Sequence, residues 1–191
     1  MALTVLDPQT ALIVVDLQQG LVGLAPVADV IARSRMLADA FRARGLPIVL
    51  VNVVGGAPGR TEQPRRDLGT LPADFAEFVP ELGRRPGDIV VTKRTWGAFT
   101  ATDLERYLRQ CGVTQVVVVG VATTAGVEST ARHAHELGFN VALAVDAMTD
   151  MNADAHHNSV VRIFPRMAET GTTQEIIDLL DARSRSGNRS A

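Results

Sequence analysis

Three positions that follow apolar runs could carry chemistry in this chain. Asp16 follows Thr10–Val15 (TALIVV), Lys93 follows residues 88–92 (DIVVT), and a turn bracketed by Gly120 and Gly126 follows residues 116–119 (VVVV). An aspartate and a lysine brought together form a charge-assisted pair. The lysine favours the ionised carboxylate, whereas burial raises the carboxyl pKa. A carboxyl group poised between these effects suits general acid or base work. The competing reading is a buried ion pair that only supports the fold. Trp96 and Phe99, in KRTWGAF, lie just beyond Lys93. They could wall a pocket for a planar or cyclic ligand, or serve as core aromatics.

These residues need elements that bring them to one place. The β-branched run 116–119 reads as a strand covered on both faces of a parallel sheet. Further strands are expected at Thr10–Val15, Ile48–Val53, 88–92 and 140–145, the last ending at Asp146. A small edge strand is expected at 167–169. Helices are expected at 27–44, 103–110 with Thr102 as cap, 127–137, 153–163, and 173–182 capped by Thr172. Thr123 and Thr124 are the expected caps of the helix after the central strand. Gly126 would sit in its first turn, where unpaired N–H groups offer a site for developing negative charge. The Gly/Pro-rich stretch 54–86 reads as a long loop with a short turn or helix at 73–79, either a lid or contact segment or a solvated loop.

Strands alternating with helices predict an α/β fold, a three-layer αβα arrangement with a Rossmann-like parallel sheet and helices on both faces. Ligands of such sheets bind beyond the carboxyl ends of the strands. Asp16, Lys93 and the 120–126 turn should therefore share one rim. One domain is expected over residues 1–183, with a disordered tail at 184–191.

Composition narrows the function classes. The 191 residues are 46% hydrophobic and 21% charged, with a net charge of −2, which gives no electrostatic case for nucleic acid or an anionic membrane. The single Cys excludes an internal disulfide. No signal peptide or bilayer-spanning run is read, so a cytoplasmic enzyme is expected. Cys111 precedes the central strand, at the end of the sheet away from the rim, and is expected to be a buried structural thiol.

The order D-x-Q (Asp16, Gln18), K-x-x-x-x-A-F (Lys93, Ala98, Phe99) and G-V-A-T-x-x-G-V (Gly120 to Val127) resembles the isochorismatase-like hydrolase superfamily across nearly the whole chain. Most members of that family use Asp, Lys and Cys, the thiolate attacking an amide or related carbonyl. Asp16 and Lys93 match the first two positions, and Gly126 stands at the Cys position. The resemblance implies a hydrolase without the cysteine nucleophile. Asp16 would be its general acid/base, and an enol (vinyl) ether such as isochorismate its substrate. A noncatalytic ligand-binding or scaffold member, or a Cys-independent amidohydrolase, are the alternatives. Gln18, Trp96, Phe99, Val121, Ala122 and Thr123 are the expected substrate contacts, and Val121–Ala122 is expected to be a cis peptide. Arg60, Arg65, Arg66 and Arg94 are candidates for substrate carboxylates. None of His133, His135, His156 and His157 lies after the second strand, where nicotinamidases of this family bind metal, so no metal and no cofactor are expected. The family also implies a homo-oligomer.

Overall fold

The structure is a computed structural model that describes residues 3–23, 25–62 and 71–187. Six parallel strands form one sheet: β1 (Thr10–Val15), β2 (Ile48–Val53), β3 (Ile89–Lys93), β4 (Gln115–Val121), β5 (Asn140–Thr149) and β6 (Glu169–Gly171). Their order is β3-β2-β1-β4-β5-β6. Among the described residues α1 (Ala28–Arg42) and α5 (Thr173–Gly187) cover one face, α2 (Leu104–Gln110) and α3 (Glu128–Glu136) cover the other, and the short α4 (Ala153–Asn158) buries no residue. Arg65 and Arg66 lie outside the described residues.

The period of two in β4 explains the layers. Val116 and Val118 pack into a cluster with Leu104 and Leu108 of α2 and Ala131 and Ala134 of α3. Val117 and Val119 point the other way, among Leu37 and Phe41 of α1 and Ile176 and Leu180 of α5. A strand buried on both faces must be apolar at every position, which is why the run is continuous rather than alternating.

Several boundaries differ from the sequence reading. β5 runs four residues past Val145, because its pairing with β4 jumps from Val118↔Leu143 to Gly120↔Met148. The irregularity absorbs extra residues in β5. Asp146 therefore lies within the strand. Its Oδ1 accepts from the Thr173 N–H at 2.7 Å and from its hydroxyl at 3.0 Å. Asp146 thus caps α5 from a neighbouring strand, beside the reciprocal Thr172–Glu175 capping box. The helix expected at 153–163 is α4 followed by a wide turn over Ser159–Ile163. β6 lies two residues later than expected. Residues 184–187, expected to be disordered, continue α5, and 188–191 lie outside the described residues. Cys111, expected to be buried, is exposed.

In the 54–86 segment, the described residues are tied to the sheet. Gln18 bridges Phe78, and the Gln19 and Gly20 N–H groups donate to Glu77 and Phe75 carbonyls. Among the described residues no helix is long and apolar enough to cross a membrane.

β1 and β4 are neighbours whose following connections leave in opposite directions. That is the topological switch point of a doubly wound sheet, where a crevice opens at the strand ends. Gly120 permits the close approach there. Its φ is +116°, and a Cβ would lie 2.1 Å from the Val15 carbonyl oxygen. Gly120→Ala is expected to destabilise the fold by about 3 kcal/mol or more, through backbone overlap and an unfavourable φ together. Urea unfolding monitored by circular dichroism checks this; an unchanged midpoint would contradict the close-packing account.

Candidate active site

Asp16 leaves β1 with a φ of +56°, in the left-handed region that an aspartate tolerates better than most residues. Its N–H is fixed by the Val51 carbonyl at 2.8 Å. This turn directs the carboxyl group toward Lys93 at the end of β3. Asp16 is 5% exposed and Lys93 2%. The Lys93 ammonium donates to Asp16 Oδ2 at 2.7 Å, to the Trp96 carbonyl at 2.8 Å and to the Thr95 carbonyl at 3.2 Å. An ammonium has three N–H donors. All three are therefore engaged by the protein.

The carboxyl group is used only on one side. Asp16 Oδ1 is buried and has no hydrogen-bond partner among the described residues. Burial pushes the Asp16 pKa up from 3.8 to about 6, against the lowering charge and hydrogen bond of Lys93. A group with this pKa exchanges a proton near neutral pH, with Oδ1 as its unengaged atom.

The turn after β4 closes the site. The Val121–Ala122 peptide is cis. The Val127 N–H reaches back to the Ala122 carbonyl at 3.2 Å, closing a wide turn before α3. Thr123 and Thr124 do not cap this turn with their own side chains. Thr124 instead gives its N–H (2.9 Å) and its hydroxyl (2.7 Å) to Asp150 Oδ2. These bonds hold the Asp150 carboxyl below its usual pKa, against the opposing effect of its own burial. Gly126 lies against the ion pair. A Cβ there would stand 2.9 Å from Asp16 Oδ2, 2.9 Å from Val15 Cγ1 and 3.0 Å from the Val121 carbonyl oxygen.

Asp16, Lys93, Val121, Ala122, Gly126 and Trp96 all line one open cleft of about 1130 Å³. Three expected contacts do not. The Gln18 amide is consumed by the backbone, donating to Val53 and Phe75 carbonyls and accepting from the Val53 N–H at 2.7 Å. Gln18 therefore locks the end of β2 and the 75–79 segment onto β1. Phe99 is a core residue, stacked 6.1 Å from Phe139 and tilted by 47° against His133 at 5.5 Å. Thr123 is fully buried, its hydroxyl 2.8 Å from His156 Nδ1. Of the arginines expected to meet carboxylates, Arg60 lines the cleft, whereas Arg94 is exposed beside Gly55.

The cleft also contains residues that sequence reasoning passed over: Leu21, Ala25 and Val27 before α1, and Met151 after β5. Their apolar character gave no signal of chemistry. Asp150 carried a faint one, an Asp–Met–Asn sequence after a strand.

The isochorismatase domain matches residues 10–175. The chain belongs to the isochorismatase family. It is 42% identical over 176 residues to the uncharacterised isochorismatase family protein YwoC of Bacillus subtilis, covering 89% of this chain and 93% of that protein. It is 33% identical to the ureidoacrylate amidohydrolase RutB of Stutzerimonas stutzeri, over 73% of this chain and 69% of that one. Its fold is similar to that of an isochorismatase family protein from Burkholderia thailandensis. That comparison gives a TM-score of 0.87 and 39% identity, over 93% of this chain and 98% of the other.

Two substitutions probe the ion pair. Lys93→Met removes both influences that lower the Asp16 pKa, so the carboxyl should titrate above about 6 and be more protonated at pH 7. Carbon-detected NMR titration of the Asp16 carboxyl checks this, and a downward shift would contradict the assignment of causes. Gly126→Ala should push the carboxyl off Lys93, costing about 1–3 kcal/mol in thermal unfolding; a neutral substitution would mean that the turn yields freely.

Proposed function

We propose that this chain is a hydrolase that works without a thiol nucleophile, with Asp16 as its general acid/base, and that it cleaves an enol (vinyl) ether such as isochorismate. The observation that carries this reading is the Asp16 carboxyl itself. One oxygen is held by Lys93, the other is buried with no hydrogen-bond partner among the described residues, the residue lines the cleft, and the pKa is about 6. Among the described residues no cysteine lines the cleft, and the motif resemblance puts Gly126 at the nucleophile position. The Lys93 hydrogen bonds are consistent with a role in tuning Asp16.

In the reaction, the protonated Asp16 carboxyl gives its proton to the terminal vinyl carbon. The electron pair of the double bond forms the new C–H bond, leaving an oxocarbenium ion beside the ionised carboxylate. Water adds to the cationic carbon, and Asp16 takes back a proton. The hemiketal then collapses to pyruvate and the alcohol. Val121, Ala122, Gly126 and Trp96 shape the space around the reacting carbon.

A second reading is favoured by the amidohydrolase relatives. Ionised Asp16 would then be the base that activates water against an amide. The two readings predict opposite pH limbs. Acid catalysis falls about tenfold per pH unit above about 6, whereas base catalysis rises through about 6 to a plateau.

The test is pyruvate release from isochorismate across pH 5–8, with Asp16→Asn beside the wild type. Enol-ether hydrolysis predicts a falling limb and a loss of about 10²–10⁴-fold in the variant. A rising limb with ammonia released from amides would favour the amidase reading, and no turnover of either would favour a ligand-binding member. Equal activity of both proteins would remove Asp16 from the mechanism.

A further inference from the structure

The Asp16–Lys93 pair is enclosed from two sides. On one side lies the loop after β3, whose Thr95 and Trp96 carbonyls accept from the Lys93 ammonium at 3.2 and 2.8 Å. On the other lies the turn after β4, where a Cβ at Gly126 would stand 2.9 Å from Asp16 Oδ2. Neither segment belongs to the sheet, so the strand ladder does not set the distance between them.

Thr130, in the first turn of α3, joins the two segments. It is fully buried. Its hydroxyl donates to the Gly126 carbonyl at 2.7 Å and accepts from the Ala98 N–H at 3.0 Å. A threonine that bonds only the carbonyl four residues back is common in helices and says nothing about a site. The second bond is different, because it reaches 32 residues along the chain to the loop that holds Lys93. The Ala98 carbonyl accepts in turn from the Thr102 hydroxyl at 2.6 Å. Both backbone polar groups of Ala98 are therefore held by threonine side chains, one peptide unit beyond the Trp96 carbonyl. Gly97 packs on the same turn of α3, where a Cβ would meet the Ser129 carbonyl oxygen at 3.4 Å. Among the described residues no other hydrogen bond links residues 94–102 to residues 120–130.

We propose that Thr130 is a positioning residue of this site: its one hydroxyl ties the loop that saturates Lys93 to the turn that covers Asp16, and so keeps the ion pair enclosed. The tie stands on the geometry alone, and its consequence for turnover rests on Asp16 being the acid/base. Loss of the hydroxyl leaves the Ala98 N–H buried without its acceptor, a cost that water entering between the two segments relieves. Burial is the largest influence on the Asp16 carboxyl, so that water lowers its pKa from about 6 toward 3.8.

Thr130→Val keeps the volume and removes the hydroxyl, whereas Thr130→Ser keeps the hydroxyl. Carbon-detected NMR titration of the Asp16 carboxyl reads the effect without any turnover. The expected result is a pKa lower by about one pH unit or more in the valine variant, and about the wild-type value in the serine variant. Should the valine variant not fold, Thr130→Ala places no methyl group against the Ala98 N–H and gives the same readout. A titration that is unmoved, or moved upward, in a folded variant would make Thr130 a residue of the fold only and overturn the proposal, whatever the loss of thermal stability. In the wild type itself, rapid exchange of the Ala98 amide hydrogen would overturn it, because that N–H would then not be held.

Pyruvate release separates the tie from the reaction that it serves. In the enol-ether reading, the falling limb of the valine variant moves to lower pH and its rate at pH 7 drops about threefold to tenfold, with serine restoring both. The expected titrations without pyruvate from any of the proteins would refute enol-ether hydrolysis and leave the role of Thr130 standing. Pyruvate formed with an unmoved limb in the valine variant would refute the role of Thr130 and leave the reaction standing.

Discussion

The buried Asp16–Lys93 contact is the constraint to which the rest of the site conforms. Two opposite charges lie 2.7 Å apart at the ends of β1 and β3, with β2 between those strands. Such a pair costs desolvation energy on both sides, and its mutual attraction does not by itself guarantee a gain in stability. The backbone carbonyls of Thr95 and Trp96 complete the lysine's hydrogen bonds. Among the described residues nothing equivalent completes the carboxylate. The asymmetry leaves a satisfied cation beside an under-satisfied acid, and both line the cleft.

The neighbouring elements can be understood as accommodating that pair. Gly120 lets β4 run close to β1, and Gly126 lets the following turn pass against the carboxyl group. Asp150 supplies the hydrogen bonds that hold the turn from the outside. Gln18 fixes β1 to the end of β2 and to the 75–79 segment through three backbone contacts. Each of these contacts constrains the backbone within a few residues of Asp16 or the cleft. The result is a rigid floor of polar contacts beneath walls that are mostly apolar.

Family membership and geometry address different questions. The relatives place the chain among isochorismatase family proteins, including amidohydrolases. They do not choose between an acid that protonates carbon and a base that activates water. One carboxyl group with a pKa of about 6 serves either role, depending on its proton. The choice therefore lies in the substrate that the walls admit, and those walls are made by residues with no chemistry of their own.

The sequence by itself determined the sheet. Short, mostly apolar runs, β-branched throughout at 116–119, specify buried parallel strands, and the ligand rim follows from that architecture. Asp16 and Lys93 were legible as rim residues because they stand where strands end, and Gly126 because it sits in the turn that follows one. Gln18, Phe99 and Thr123 belong to the same motifs, yet the structure turns their side chains into the fold. Motif membership does not say which way a side chain points, and one residue of offset along a strand or turn reverses it. The walls of Leu21, Val27 and Met151 and the cap supplied by Asp150 come from segments distant in sequence. Only the tertiary structure decided them, because which apolar residues meet at a cleft depends on how the connections pack and not on any local pattern.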